Sequence, residues 1–342
     1  MAAPIPPHFS IDFGNNTLKL VYITRRGGGW DLRNIASVQT PPGTLNSYKD
    51  EHKQQLIDSL KELVVDSRVP IKEVAVALPE SAVFSRMLTV PKVSDNELTD
   101  AVYWQLKQFL PYPVEEVQSD FTELMTDQSG QKKILAVAAP KKLVQLYVEI
   151  LEKAGLTPVA IESETLSILR AIKSNHNIAD GIMLDFGAQS TDMAVMLGGE
   201  LFFSQSISTG SDLLTKALVN EFQLSYAQAE EYKRAYGINP SAADGKIYNI
   251  LKPVIDMIVT EVLRGLEFYK GEIGRQPPTT VFICGEAALL PALPEYLKSV
   301  LGYEVYIADP WKTVSVPGGM ADVVKKSAPG FCVSVGLCMK EE

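Results

Sequence analysis

The feature that most constrains this chain is a strand-turn-strand unit that occurs twice. Phe9, Ile11 and Phe13 alternate with other residues, Gly14-Asn15-Asn16 interrupts them, and Leu18, Leu20, Tyr22 and Thr24 resume the alternation. A period of two marks a strand, so the segment reads as a hairpin whose first strand ends in Asp12-Phe13-Gly14. The same order returns as Ile182 to Phe186, a Gly187-Ala188-Gln189-Ser190 turn and Met193 to Leu197, now with Asp185-Phe186-Gly187 at the turn. Each copy gains a third strand, Trp30 to Val38 after Gly27-Gly28-Gly29 and Leu201 to Ile207 after Gly198-Gly199. The first copy continues into an amphipathic helix from about Lys49 to Val65, with Leu56, Ile57, Leu60 and Leu63 at helical spacing, and a buried strand from Val74 to Leu78. The second opens a helix at Gly210-Ser211-Asp212. A repeat on this scale predicts two homologous lobes with a cleft between them, and clefts between lobes are where ligands bind. A length of 342 residues also exceeds what one core usually organises.

Two stretches interrupt the repeat. In the first, Ser94 and Glu97 form a capping box, Leu98, Val102, Leu106 and Phe109 make an apolar stripe, and Pro111 stops the helix. Strands at Val117 to Leu124 and Ile134 to Ala138, then a helix from Lys141 to Ala154 stopped at Gly155, complete an insertion into the first lobe. The second holds a helix from Tyr226 to Tyr236, boxed by Ser225 and Gln228 and closed by Gly237, with Pro253 expected to kink or start the helix that follows.

Composition removes several function classes. Apolar residues at 46% and charged residues at 21% are ordinary globular usage, and the net charge of −9 is spread out. The basic doublets Arg25-Arg26, Lys132-Lys133, Lys141-Lys142 and Lys325-Lys326 are too scattered to follow a nucleic-acid backbone. Cys284, Cys332 and Cys338 sit in apolar segments without paired spacing, which argues against a disulfide framework and a zinc site. No apolar run is long enough to span a bilayer, the leader at 1–7 lacks the features of a signal peptide, and the C-terminus carries no amphipathic tail. The expected location is the cytoplasm, with a partner supplying any contact with a membrane.

Each Asp-x-Gly turn sets a carboxylate at the end of a buried strand, where it can hold a metal-bound water. It then sets a glycine whose freedom at positive φ would aim backbone N–H groups at a phosphate. Around the first, Asn15, Asn16 and Thr17 offer further donors, and Lys19 offers a cation for a β or γ phosphate. Around the second, Ala188, Gln189, Ser190 and Thr191 are the donors, and Asp192 has no assigned role. One Asp-Gly hairpin alone is an ordinary turn; two in the same setting point to a phosphate cleft. A third segment, Val281 to Pro291, is a buried strand ending at Gly285, which lets a purine or ribose approach the backbone or simply connects a strand to a helix.

The order Asp12-Phe13-Gly14…Lys19, Asp185-Phe186-Gly187…Thr191, Gly210-Ser211-Asp212…Thr215 and Ile283-Cys284-Gly285 resembles the phosphate 1, phosphate 2 and adenosine motifs of the actin, Hsp70 and sugar kinase superfamily. Within it the chain is similar to the PilM family of type IV pilus assembly, relatives of the cell-division protein FtsA. The residues that carry this are Val76-Ala77-Leu78-Pro79, Arg86 to Pro91, Glu97-Leu98, Phe109-Leu110-Pro111-Tyr112-Pro113, Ala154 to Pro158, Glu261-Val262-Leu263-Arg264 and Val335-Gly336-Leu337.

The resemblance implies an α/β, actin-like ATPase (ribonuclease H-like) fold: two lobes of duplicated mixed sheets flanked by helices, in four subdomains. The first lobe would comprise 8–90, completed by 156–178 and 322–342. An inserted subdomain would fill 91–155, the second lobe 179–210 and 256–321, and its own insertion 211–255. It also implies ATP or ADP with Mg held through water by Asp12 and Asp185. Gly210, Ser211, Gly285, Glu286 and, by stacking on adenine, Arg264 would complete the nucleotide site. The implied partner is the cytoplasmic N-terminal peptide of a PilN-like inner-membrane protein, alongside other pilus assembly proteins.

The family usually has paired glycines where this chain has Gly285-Glu286 and Gly210-Ser211, so an acid and a hydroxyl sit near the expected base and ribose. Hydrolysis needs a residue to orient a water in line with the γ phosphate. Glu164, and behind it Glu162, occupy the expected position, with solvated acids at a helix N-terminus as the other reading. Three functions compete: an ATP-binding assembly protein with slow hydrolysis at most, a nucleotide-free scaffold of the same fold, and a small-molecule kinase.

Overall fold

The computed structural model describes residues 4–45, 47–126, 130–176 and 178–341. Strands β1 (Phe9–Phe13), β2 (Thr17–Arg26) and β3 (Gly29–Gln39) form an antiparallel meander. Helix α1 (Asp50–Ser67) then leads into β4 (Glu73–Leu78), parallel to β1. Next come β5 (Phe84–Val90), α2 (Asp95–Phe109), β6 (Val117–Thr126), β7 (Lys132–Pro140), α3 (Lys141–Lys153), β8 (Thr157–Ser163) and α4 (Glu164–His176). The second lobe runs through β9 (Gly181–Phe186), β10 (Thr191–Leu197), β11 (Glu200–Ile207), α5 (Ser211–Phe222), α6 (Tyr226–Tyr236), α7 (Lys246–Ile273), β12 (Thr280–Cys284), α8 (Leu293–Leu301) and β13 (Glu304–Ile307). β14 (Val314–Ser315), α9 (Ala321–Lys326) and α10 (Cys332–Cys338) return to the first lobe.

The repeat in the sequence is a repeat in topology. One sheet has the order β14-β3-β2-β1-β4-β8 and the other β11-β10-β9-β12-β13. Without β14 the two match element for element: an antiparallel meander whose first strand continues the sheet through two parallel strands. The central strands β1 and β4 are buried along nearly all their length, which explains their continuous apolar runs.

Each lobe has its own core. Phe9, Ile11, Leu18 and Leu20 pack under Leu56 and Leu60 of α1 and Leu146 and Ile150 of α3. Leu184, Val195, Ile255, Ile258 and Tyr269 centre the second. A third cluster joins the lobes: Ala75 and Ala77 from β4, Ile168 and Ile172 from α4, Met183 and Phe282 from the second sheet, and Cys332 and Val333 from α10. A β-carbon at Gly336 would overlap the Ser167 carbonyl, so this glycine lets α10 cross α4 closely.

Several expectations change. The small sheet, ordered β5-β7-β6, opens at Phe84 rather than at 91, because β5 pairs along its whole length with β7. Helix α3 packs into the first lobe's core as well as against β7 of that sheet, so it joins the insertion to the lobe. Phe109 does not complete the stripe of α2; it is 44% exposed at the last turn, with the Arg86 guanidinium 3.8 Å above its ring. Pro253 lies inside α7, which begins at Lys246.

Candidate nucleotide cleft between the lobes

The two Asp-Phe-Gly turns face one cleft of about 340 Å³, within the range of small-ligand sites. Asp12, Gly14, Asn15, Asn16, Thr17 and Lys19 line one wall, and Asp185, Gly187, Ala188, Gln189 and Ser190 another. Ser211, Gly285, Glu286 and Glu164 line it as well. The expected site residues outside it are Thr191, Gly210 and Arg264.

The glycines of the turns are required for a different reason from the one expected. Neither Gly14 nor Gly187 has a positive φ. A β-carbon at Gly14 would lie 2.7 Å from the Thr17 carbonyl oxygen, and one at Gly187 would lie 3.0 Å from that of Ser190. Each turn folds back on its own glycine, so the constraint is steric. Gly285 does need the left-handed region, at φ 81°, and a β-carbon there would meet Asp185 Oδ1 at 2.6 Å. Its openness serves the close approach of β12 to the end of β9.

The residues outside the cleft have structural partners. Thr191 is fully buried and donates its hydroxyl to the Thr209 carbonyl at 2.8 Å. Gly210 caps α5 against the second turn: Ser211 N–H donates to the Gly187 carbonyl and Asp212 N–H to that of Ala188, both at 2.9 Å. The free amides of this helix start therefore hold the turn rather than a ligand. Arg264 lies on the outside of α7, with 70% of its side chain exposed, paired to Glu261 one turn away. It does not line the cleft. Glu162 turns toward α10, gripping Arg170 at 2.6 and 2.8 Å and Lys340 at 3.2 Å.

The cleft is acid-rich beside the two turns. Burial pushes the Asp12 carboxyl up to about 6, opposed by Lys19, whose Nζ lies 3.9 Å away. Burial also raises Asp185. Glu164, the first residue of α4, accepts the Glu80 amide N–H at 3.1 Å. It sits well above the usual carboxylate range, through burial first and then the charges of Asp12, Asp192 and Asp185. It lines the cleft with its carboxylate bound to the Glu80 amide rather than standing free in solvent.

The sequence left Asp192 without a role, yet it lines the cleft and is 4% exposed. Its Oδ2 accepts the Ser190 hydroxyl at 3.3 Å, its Oδ1 has no partner, and burial pushes it up to about 7. Two basic residues of α6 were also missed. Lys233 is 3% exposed, with Nζ 2.8 Å from Thr215 Oγ1 and 2.7 Å from Glu230, and Arg234 pairs with Glu230 at 2.9 Å. All three line the cleft. Their spacing of three and four residues was the available signal, since it puts them on one helix face. Tyr147 packs its ring 4.9 Å from that of Phe13 at the cleft wall, and no local pattern marks it.

A family model for the type IV pilus assembly protein PilM matches residues 10–342. The chain belongs to the PilM family. A solved PilM-PilN type IV pilus biogenesis complex contains a chain that is 28% identical, with a TM-score of 0.86 and 98% of each chain covered. FtsA of Streptococcus pneumoniae is 21% identical over 345 residues, covering 88% of this chain and 75% of FtsA. EutJ of Escherichia coli is 22% identical over 154 residues, covering 45% of this chain and 49% of EutJ, so that match spans about half of each protein. MreB5 of Spiroplasma citri, solved bound to ADP, is 14% identical with a TM-score of 0.57, covering 96% of this chain and 94% of MreB5. At that identity the likeness establishes the actin-like fold alone.

Proposed function

We propose that this chain is an ATP-binding member of the type IV pilus assembly platform, whose lobes report nucleotide to a groove for the N-terminal cytoplasmic peptide of a PilN-like membrane protein. The observation that carries the nucleotide half is that the two Asp-Phe-Gly turns, far apart in sequence, face each other across one cleft with Lys19 between them. MreB5, of the same fold, was solved bound to ADP. The residues present fit a hydrated Mg ion, because Asp12 and Asp185 flank the phosphate end and the buried Asp192 Oδ1 has no partner. When bound, Mg neutralises phosphate charge; Lys19 supplies a fixed cation, the turn amides donate to oxygens, and Glu164 can hold a proton near the γ position.

The partner half rests on the PilM-PilN complex that this chain resembles over 98% of its length. No helix among the described residues is long and apolar enough to cross a membrane, so we assign the chain to the cytoplasm and its recruitment to that partner. Calorimetric titration should show saturable Mg-ATP binding that is lost in Asp12→Ala and Asp185→Ala, and capture of a synthetic PilN N-terminal peptide. Wild-type protein that binds neither would overturn both halves. A nucleotide-free scaffold is the second reading, favoured by one contact: Glu286 already lies 3.2 Å from Lys19.

A further inference from the structure

Glu286 stands where three subdomains meet. It follows Gly285, whose N–H donates to the Pro329 carbonyl at 3.0 Å, so its backbone is fixed from both lobes. From there Oε1 reaches Lys19 Nζ at 3.2 Å and accepts the Thr17 hydroxyl at 3.3 Å, both on β2 of the first lobe. Oε2 lies 3.6 Å from Arg234 Nη2 on α6, in the second lobe's insertion. Gly330 leaves the slot for this side chain: a β-carbon there would lie 3.0 Å from Glu286 Cγ. Lys19 is nearer to Glu286 than to Asp12, at 3.2 against 3.9 Å.

We propose that Glu286 is a built-in competing anion, which ties Lys19 to Arg234 across the cleft and must be displaced from Lys19 by the phosphates of an incoming nucleotide. The inference rests on the nucleotide reading above and sharpens it. The Glu286 carboxylate takes up part of the donor capacity of Lys19 and repels a phosphate brought beside it, so phosphate binding and the tie compete. Displacement then frees β2 from α6, and binding loosens one lobe contact as it forms another. Coupling of this kind is reciprocal: whatever holds the lobes in the tied arrangement weakens nucleotide, and nucleotide weakens the tie. A short neutral side chain at the same position would leave Lys19 free and break the coupling. The arrangement suits a phosphorylated ligand, since a lone adenosine brings nothing to exchange for the carboxylate.

The test separates the tie from the nucleotide reading. Spin labels on cysteines introduced at exposed Glu62 and Glu221 report the distance between the lobes, the native cysteines being buried. In nucleotide-free full-length protein, E286Q should broaden or shift the distance distribution, and R234Q should do the same. In calorimetry E286Q should bind Mg-ATP about tenfold more tightly than wild type, while adenosine affinity should not change. Superimposable distributions for wild type and both variants overturn the inference, and so does Mg-ATP binding that is equal or weaker in E286Q. A changed distribution with no ATP binding by either protein keeps the tie and removes the nucleotide reading instead.

Discussion

The two Asp-Phe-Gly turns share a backbone and differ in the residue facing each aspartate. In the first hairpin Asp12 pairs across the ladder with Lys19; in the second Asp185 pairs at the equivalent position with Asp192. Each partner follows its aspartate by seven positions in the sequence. The repeated frame therefore carries opposite charge at matching places: one turn is balanced internally, and the other brings two buried acids together. The lobes differ in charge at the cleft, the first setting a cation opposite its aspartate and the second setting two carboxyls together, both raised by burial.

The sharpest way to break this division is to make the first turn resemble the second. Lys19→Glu should lower Mg-ATP affinity roughly a thousandfold or more, since it removes a charge-assisted bond and adds repulsion. Asp192→Asn, which only discharges the second turn, should change it less than tenfold. Equal losses by calorimetry would erase the distinction between the turns.

A second test uses acidity. Asp192 has its proton affinity raised by burial, from the ordinary 3.8 to about 7. Between those values the folded state keeps a proton that the unfolded state releases, so folding stability falls as pH rises from about 4 to about 7, and then levels off. Asp192→Asn lacks this loss. Its stability relative to wild type in urea titrations should grow across that window, by on the order of 2–3 kcal/mol once partial solvation is allowed for. A constant difference from pH 4 to 8 would mean that Asp192 is charged at no cost.

A third compares the glycines. Neither has a positive φ, so alanine at either adds only a clash, and the clash is tighter at Gly14 than at Gly187, 2.7 against 3.0 Å. Gly14→Ala should cost about 1–2 kcal/mol and Gly187→Ala less, read from denaturant midpoints. The reverse order would show the second turn to be the more rigid.

The architecture was legible because it is periodic. The alternation of Phe9, Ile11 and Phe13 and of Met193 to Leu197 marks strands directly, and the doubled unit marks two lobes. Most of the residues that line the cleft beside the turns were named too, because they lie within a few positions of each turn. What stayed hidden depends on tertiary placement. α3 has the same amphipathic pattern whichever sheet it covers, and Glu162 reads like Glu164 until the bidentate pair with Arg170 turns it to α10. Asp192 was within reach of a register comparison, since it matches Lys19 in place, but its type hid the match.

The two arginines offered to the adenosine end make the last and smallest test. Arg264 attracted notice through its motif, yet its exposed guanidinium pairs with Glu261 and it does not line the cleft. Arg234 drew none, yet it lines the cleft and meets both Glu230 and Glu286. Exposed side chains that touch no ligand contribute little, so Arg264→Ala should leave Mg-ATP affinity within about twofold of wild type. Arg234→Ala should alter it by more than that, because it removes one anchor of the Glu286 carboxylate and one wall of the cleft. A larger effect for Arg264 than for Arg234 would mean that the purine lies against α7 and that the far end of the cleft must be redrawn.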